Sequence, residues 1–128
     1  MRDQQLKLQT GMSGEFLVAG KLFKMGLQVS ITLGNAKSVD LYASDEVNSN
    51  VYEVQVKTLR KVNCFLIRRD RIHESMIYVF VLLNNFSIER GKYVDPGERY
   101  FIVTGKEIIK NEKHYLGHLL KKIQASRQ

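Results

Sequence analysis

An α/β domain with a mixed central sheet flanked by helices is the fold class this sequence predicts, and three observations carry it. Apolar residues recur at helical spacing near both ends of the chain and at strand spacing between them. The stretch MIYVFVLLN (76–84) is continuously apolar and rich in β-branched and aromatic side chains, as a strand covered on both faces must be. The 128 residues, 44% of them hydrophobic, make one domain (1–128) able to bury a core, whereas two domains would each be too small.

The elements follow in order. Residues 12–25 predict a helix, because Met12, Phe16, Ala19, Leu22 and Phe23 share a helical face, Ser13 stands near the cap and Lys24 lies in the last turn. Gly26 suits the left-handed residue that closes a helix. LQVSITL (27–33) reads as a strand and Gly34-Asn35 as a turn. SVDLYAS (38–44) alternates, setting Val39, Leu41 and Ala43 on one face and Ser38, Asp40, Tyr42 and Ser44 on the other. DEVNSN (45–50) is polar hairpin-loop material before the strand VYEVQVKT (51–58). The next stretch, to about residue 75, stays open between a short strand at 64–67 and a basic turn. Pro96-Gly97 predicts a turn ahead of the strand RYFIVT (99–104). Thr104 and Glu107 form a capping-box pair, and Tyr115, Leu116, Leu119, Leu120 and Ile123 continue a helical apolar stripe.

Composition narrows the function classes. No apolar run reaches the roughly 18 residues of a membrane span, and MRDQQLKLQTGMSGEF lacks the apolar region of a signal peptide. The expectation is a soluble, cytoplasmic protein with no membrane partner. The lone Cys64 can form no internal disulfide and reads as a buried thiol. The net charge of +7 falls entirely in the second half: residues 1–58 hold six Lys/Arg against six Asp/Glu, residues 59–128 fourteen against seven. Arg60, Lys61, Arg68, Arg69 and Arg71 form the densest basic run, which suits a polyanion such as DNA or else a plain solvated surface.

The chemistry sits in the third strand. Tyr52, Val54 and Val56 make its apolar face, and Glu53, Gln55 and Lys57 form a polar stripe with about 7 Å between neighbours. If Ser44 faces Val51 across the hairpin, Asp40 falls opposite Gln55. Glu15 joins them from the helix, since Ala19, Leu22, Met12 and Phe23 all lie within about 80° of it on a helical wheel. A carboxylate in the middle of an apolar face needs a partner. Carboxylates with an amide carbonyl make a hard oxygen site suited to Mg²⁺ or Mn²⁺. A lysine beside such an ion helps orient and deprotonate an attacking water.

GMSGEFLVAGKLFKMGLQV, SVDLYAS and VYEVQVKT together resemble the PD-(D/E)XK nuclease superfamily, in spacing and size its resolvase-like and Mrr-like branches. The resemblance covers residues 11 to about 59. It implies a restriction-endonuclease-like αβββαβ core and a Mg²⁺-dependent endonuclease acting on DNA. It also places Glu15, Asp40, Gln55 and Lys57 at the helix-acid, metal-aspartate, third-strand-ligand and lysine positions. Val39 stands where the name-giving proline often is, and Gln55 replaces the usual acid, a charge Glu53 could supply from the same face. A domain this small would cut both strands more easily as a homodimer. Two other readings stay open: a nuclease-fold module that binds nucleic acid without cutting it, and a protein-interaction domain whose stripe is a solvent face. His114 and His118 lie four apart but lack the glutamate and third ligand of a zinc helix.

Overall fold

The computed structural model describes residues 3–32, 38–63, 65 and 71–110. Helix α1 spans Asp3–Lys24, with Asp3 in the first turn and Lys21 and Lys24 in the last, each sign at the helix end its dipole favours. It starts well before residue 12, so Ser13 is no cap: its hydroxyl sits mid-helix and donates to the carbonyl of Gln9 at 2.7 Å. The first residues of α1 are solvated and carry no apolar period, but Gln, Leu and Lys are good helix formers. Its end is a Schellman motif: Leu27 N–H donates to Leu22 O at 3.1 Å, Gly26 N–H to Phe23 O at 2.9 Å, and Gly26 has φ +90°.

The buried arc of α1 is Gly14, Glu15, Val18 and Ala19, with Leu22 at its edge. Phe16 and Phe23 lie past Ala19 on the wheel and are 56% and 52% exposed, so the apolar face is rotated from the expected one. At Gly14 the helix comes so close to the sheet that a Cβ would overlap Thr58 Oγ1.

Beneath α1 lies a five-stranded mixed sheet of β1 Gln28–Ile31, β2 Leu41–Asp45, β3 Asn50–Leu59, β4 Ile77–Leu82 and β7 Arg99–Thr104, in the order β1-β2-β3-β4-β7. The pair β3–β4 is parallel and the other neighbours are antiparallel. A helix between the third and fourth strands would fall in 60–76, and the described residues there contain none. β5 Ser87–Glu89 and β6 Lys92–Val94 form a separate hairpin through Arg90-Gly91. Both turn residues have positive φ (52° and 75°), as in a type I′ turn.

Cross-strand pairs sort the core into two halves. On the α1 face Leu41, Val54, Val56, Val79 and Val81 pack with Val18 and Ala19. On the other face Tyr78, Phe80 and Leu82 pack with Val39, Phe65, Met76 and Val103, and with Ile108 of helix α2 (Gly105–Lys110). Phe65 meets Phe80 edge-on at 4.8 Å. β4 thus has apolar neighbours above, below and on both edges, as its unbroken apolar sequence requires. Helix α2 opens with the expected capping box: Glu107 N–H donates to Thr104 Oγ1 at 3.1 Å, and Thr104 N–H points at Glu107 Oε1. Gly97 takes φ +84° in the Pro96-Gly97 turn. Gly34-Asn35, Cys64, Arg68, Arg69, His114, His118 and the stripe from Tyr115 to Ile123 lie outside the described residues. Among the described residues no helix is long and apolar enough to cross a membrane.

The close approach at Gly14 is testable. Gly14→Ala is expected to destabilise the fold by about 1–3 kcal/mol through overpacking against Thr58, as read from urea unfolding. The double variant Gly14→Ala/Thr58→Ala should recover part of that stability, because it removes the hydroxyl and methyl that the new Cβ would meet, including a buried hydroxyl that has no partner, while the Thr58 Cβ stays. A double variant no more stable than Gly14→Ala would place the strain elsewhere.

Candidate active site

The β2–β3 hairpin has the expected register, with Ser44 opposite Val51 and Leu41 opposite Val54. Its turn is held by Asp45, whose carboxylate accepts from Val47 N–H at 3.0 Å and from Asn48 Nδ2 at 2.9 Å. The ladder ends at Leu41–Val54, while β3 runs on to Leu59. Beyond that pair the two strands fork.

Asp40 stands at the fork. Its N–H donates to Val54 O at 3.0 Å, one residue out of step with the ladder. Thr32 fastens the same segment from the β1 side: its N–H donates to Asp40 O at 2.9 Å and its hydroxyl reaches the carbonyls of Val39 and Asp40. Regular alternation therefore breaks here. Val39 packs with Tyr78 and Phe80 on one face while Leu41 packs with Val54 and Val56 on the other, so the two do not share the face expected of them. The Asp40 side chain, only 9% exposed, accepts the Val56 N–H at 2.7 Å. A charge-assisted bond of this kind offsets part of the desolvation that burying a carboxylate entails.

The remaining candidates approach the fork from different sides. Gln55 and Lys57 are register partners of Tyr78 and Phe80, so both leave β3 on the face away from α1. Both are half-buried, beside a packed aromatic core. Glu15 is 6% exposed on the sheet-facing side of α1, next to the Gly14–Thr58 contact. Asp40 lies just ahead of β2, between β1 and β3. Glu53 belongs to the paired part of the hairpin, opposite Tyr42, and is exposed. Among the described residues there is no group of three or more His, Cys, Asp or Glu able to hold a metal ion.

The basic residues divide as well. Arg60 and Lys61 continue past the end of β3, and Arg60 Nε donates to Thr10 Oγ1 of α1 at 2.7 Å. Both border a cleft of about 390 Å³. A larger one of about 440 Å³ also has Arg60 in its wall. Arg71 is exposed. Asn84 and Asn85 line both clefts and were not singled out from sequence. The available signal was a pair of asparagines closing an apolar strand, where Asn84 takes φ +56°.

No protein-family model matches the chain, and no curated protein matches it. A solved structure that does is a bacterial homing endonuclease, I-Ssp6803I: it is 18% identical, and the match covers 80% of this chain and 71% of that one with a TM-score of 0.43.

Proposed function

We propose that the chain is a metal-dependent endonuclease that hydrolyses DNA phosphodiester bonds at the β2–β3 fork. The observation that carries this reading is the buried Asp40 carboxylate, held by a backbone N–H at the point where β3 alone continues with Gln55 and Lys57. The donors fit a hard divalent cation, Mg²⁺ or Mn²⁺, because Asp40, Glu15 and Gln55 offer only oxygen. With two acids in that set, backbone or water oxygens would complete the shell, and Glu53 is an outlying third charge. When bound, such an ion lowers the pKa of a water and offsets phosphodiester charge.

The chain's own groups have distinct tasks. Asp40 keeps one orientation because Val56 N–H fixes it. Lys57 places a cationic head at the margin of an apolar core, where it can orient an attacking water and balance charge building on the phosphate. Arg60 and Lys61 extend positive charge along the continuation of β3 for the DNA backbone. A symmetric dimer would present two such sites to the two strands. The lack of a three-acid group among the described residues and the neutral Gln55 favour one second reading, a nuclease-fold module that binds DNA without cutting it.

Three results separate these readings. Lys57→Ala is expected to lower plasmid cleavage in Mg²⁺ or Mn²⁺ by about 10²- to 10⁴-fold with an unchanged melting curve. Asp40→Asn, which keeps an acceptor for Val56 N–H, should do the same. Asp40→Ala should in addition cost about 1–3 kcal/mol, because it orphans that N–H. Cleavage that survives both Lys57→Ala and Asp40→Asn would dismiss the site.

Calorimetric titration with Mn²⁺ reads the ion site independently of activity. Gln55→Glu should tighten binding by adding a charged oxygen, and Glu15→Gln should weaken it more than Glu53→Gln does, since Glu15 is buried and Glu53 exposed. If none of the three alters Mn²⁺ affinity, the fork holds no ion.

DNA affinity should also fall steeply with salt. The Arg60→Glu/Lys61→Glu variant should flatten the slope of log K against log salt by about 0.9 for each phosphate it no longer neutralises. An unchanged slope would move the DNA interface away from the end of β3.

A further inference from the structure

The 440 Å³ cleft lies outside the fork, between α1, the carboxyl ends of the parallel strands β3 and β4, and the loop at 95–98. The carboxyl end of parallel strands is where open α/β sheets bind their ligands. Its walls combine four chemistries. Phe16 and Phe86 stand in them with 56% and 54% of their surface exposed. Arg60 supplies a cation, and Asn84 and Asn85 supply amides. Glu98 adds an acceptor, while the carboxylate of Asp95 is occupied by Gly97 N–H at 2.8 Å and the Tyr93 hydroxyl at 3.1 Å.

A second observation points to the same end of the sheet. Among the described residues the buried side-chain polar atoms without a partner are Thr58 Oγ1, Asn84 Oδ1, Arg99 Nε and Tyr100 OH. Thr58, Val81 and Tyr100 form one cross-strand row, Arg99 pairs with Leu82 next to it, and Asn84 follows β4. Native proteins leave few such groups unsatisfied. Asn84 is held there in a left-handed conformation, with its amide nitrogen donating to Gly97 O at 3.1 Å and its oxygen unpaired.

We infer that this cleft receives one unstacked nucleotide of the DNA strand, with Phe16 and Phe86 against the base and Arg60 on its phosphate. Aromatic faces beside a cation are the recurring chemistry of single-stranded nucleic-acid binding. The carboxylate of Glu98 favours a base with an exocyclic amine. Arg60 bonds α1 and lies on that side of the sheet, whereas Lys57 leaves β3 on the other face, so the cleft would hold a nucleotide removed from the bond cut at the fork. The inference rests on the endonuclease reading for its choice of ligand.

The test uses the full chain carrying Lys57→Ala and measures fluorescence anisotropy with two labelled octamers of equal phosphate charge, one of deoxycytidine and one of abasic sites. The deoxycytidine octamer should bind about 5- to 100-fold more tightly. Phe86→Ala and Phe16→Ala, at exposed positions that leave the core intact, should each shrink that ratio towards one, and Val47→Ala on the distant β2–β3 turn should not change it. Equal affinity for the two octamers, or a ratio unmoved by both phenylalanine variants, overturns the inference. The endonuclease reading fails on a different result: a wild type that cuts no DNA but shows the base-dependent ratio loses its proposed activity and keeps this subsite.

Discussion

At the end of β2 the ladder passes from backbone to side chain, because Val56 N–H donates to the carboxylate of Asp40. That one bond lets the strands part without orphaning a buried N–H, and it fixes a carboxylate at the point of divergence. Everything proposed for the fork depends on it. If β2 had continued in register, its backbone would flank Gln55 and Lys57 and no gap would open beside them. The anchoring of Asp40 by Thr32 from the β1 side keeps the break in one place.

The second support is the close approach of α1. Gly14 lets the helix settle against Thr58, and Glu15 is carried to the sheet as a consequence. The same packing leaves Phe16 turned outward at the cleft, so one helical turn serves both the fork and the cleft.

Local chemistry was legible in the sequence and tertiary chemistry was not. The hairpin register could be read because alternation and loop length both specify it, and the Thr104–Glu107 box and Gly26 are local signals of the same kind. The break at Asp40 left no mark, since Val39-Asp40-Leu41 alternates as any strand does and the bond that breaks it reaches a residue sixteen positions away. The start of α1 was missed because its first turns bury nothing and so show no period. The β5–β6 hairpin was missed because its turn is Arg90-Gly91 rather than the more telling Asn-Gly. The polar residues of the stripe were recognisable by type and spacing. Their division between a paired, exposed Glu53 and a half-buried Gln55 and Lys57 came from where β2 begins.

The parallel pairing of β3 with β4 has a kinetic consequence. Strands β1 to β3 pair with their neighbours in the chain, whereas Val54 must wait for Ile77 across the 60–76 crossover. Pairings that close such intervals are slow to form, because the loop must be ordered before the pairing stabilises anything. Asp40, Gln55 and Lys57 belong to the quickly assembled hairpin, whereas Glu15 joins them only across the longer interval between α1 and β3. The cleft with Asn84 exists only once the parallel pair has closed. By the same reasoning the Asp40 hairpin forms ahead of the parallel pair, and both the full fork with Glu15 and the cleft wait for long-range packing.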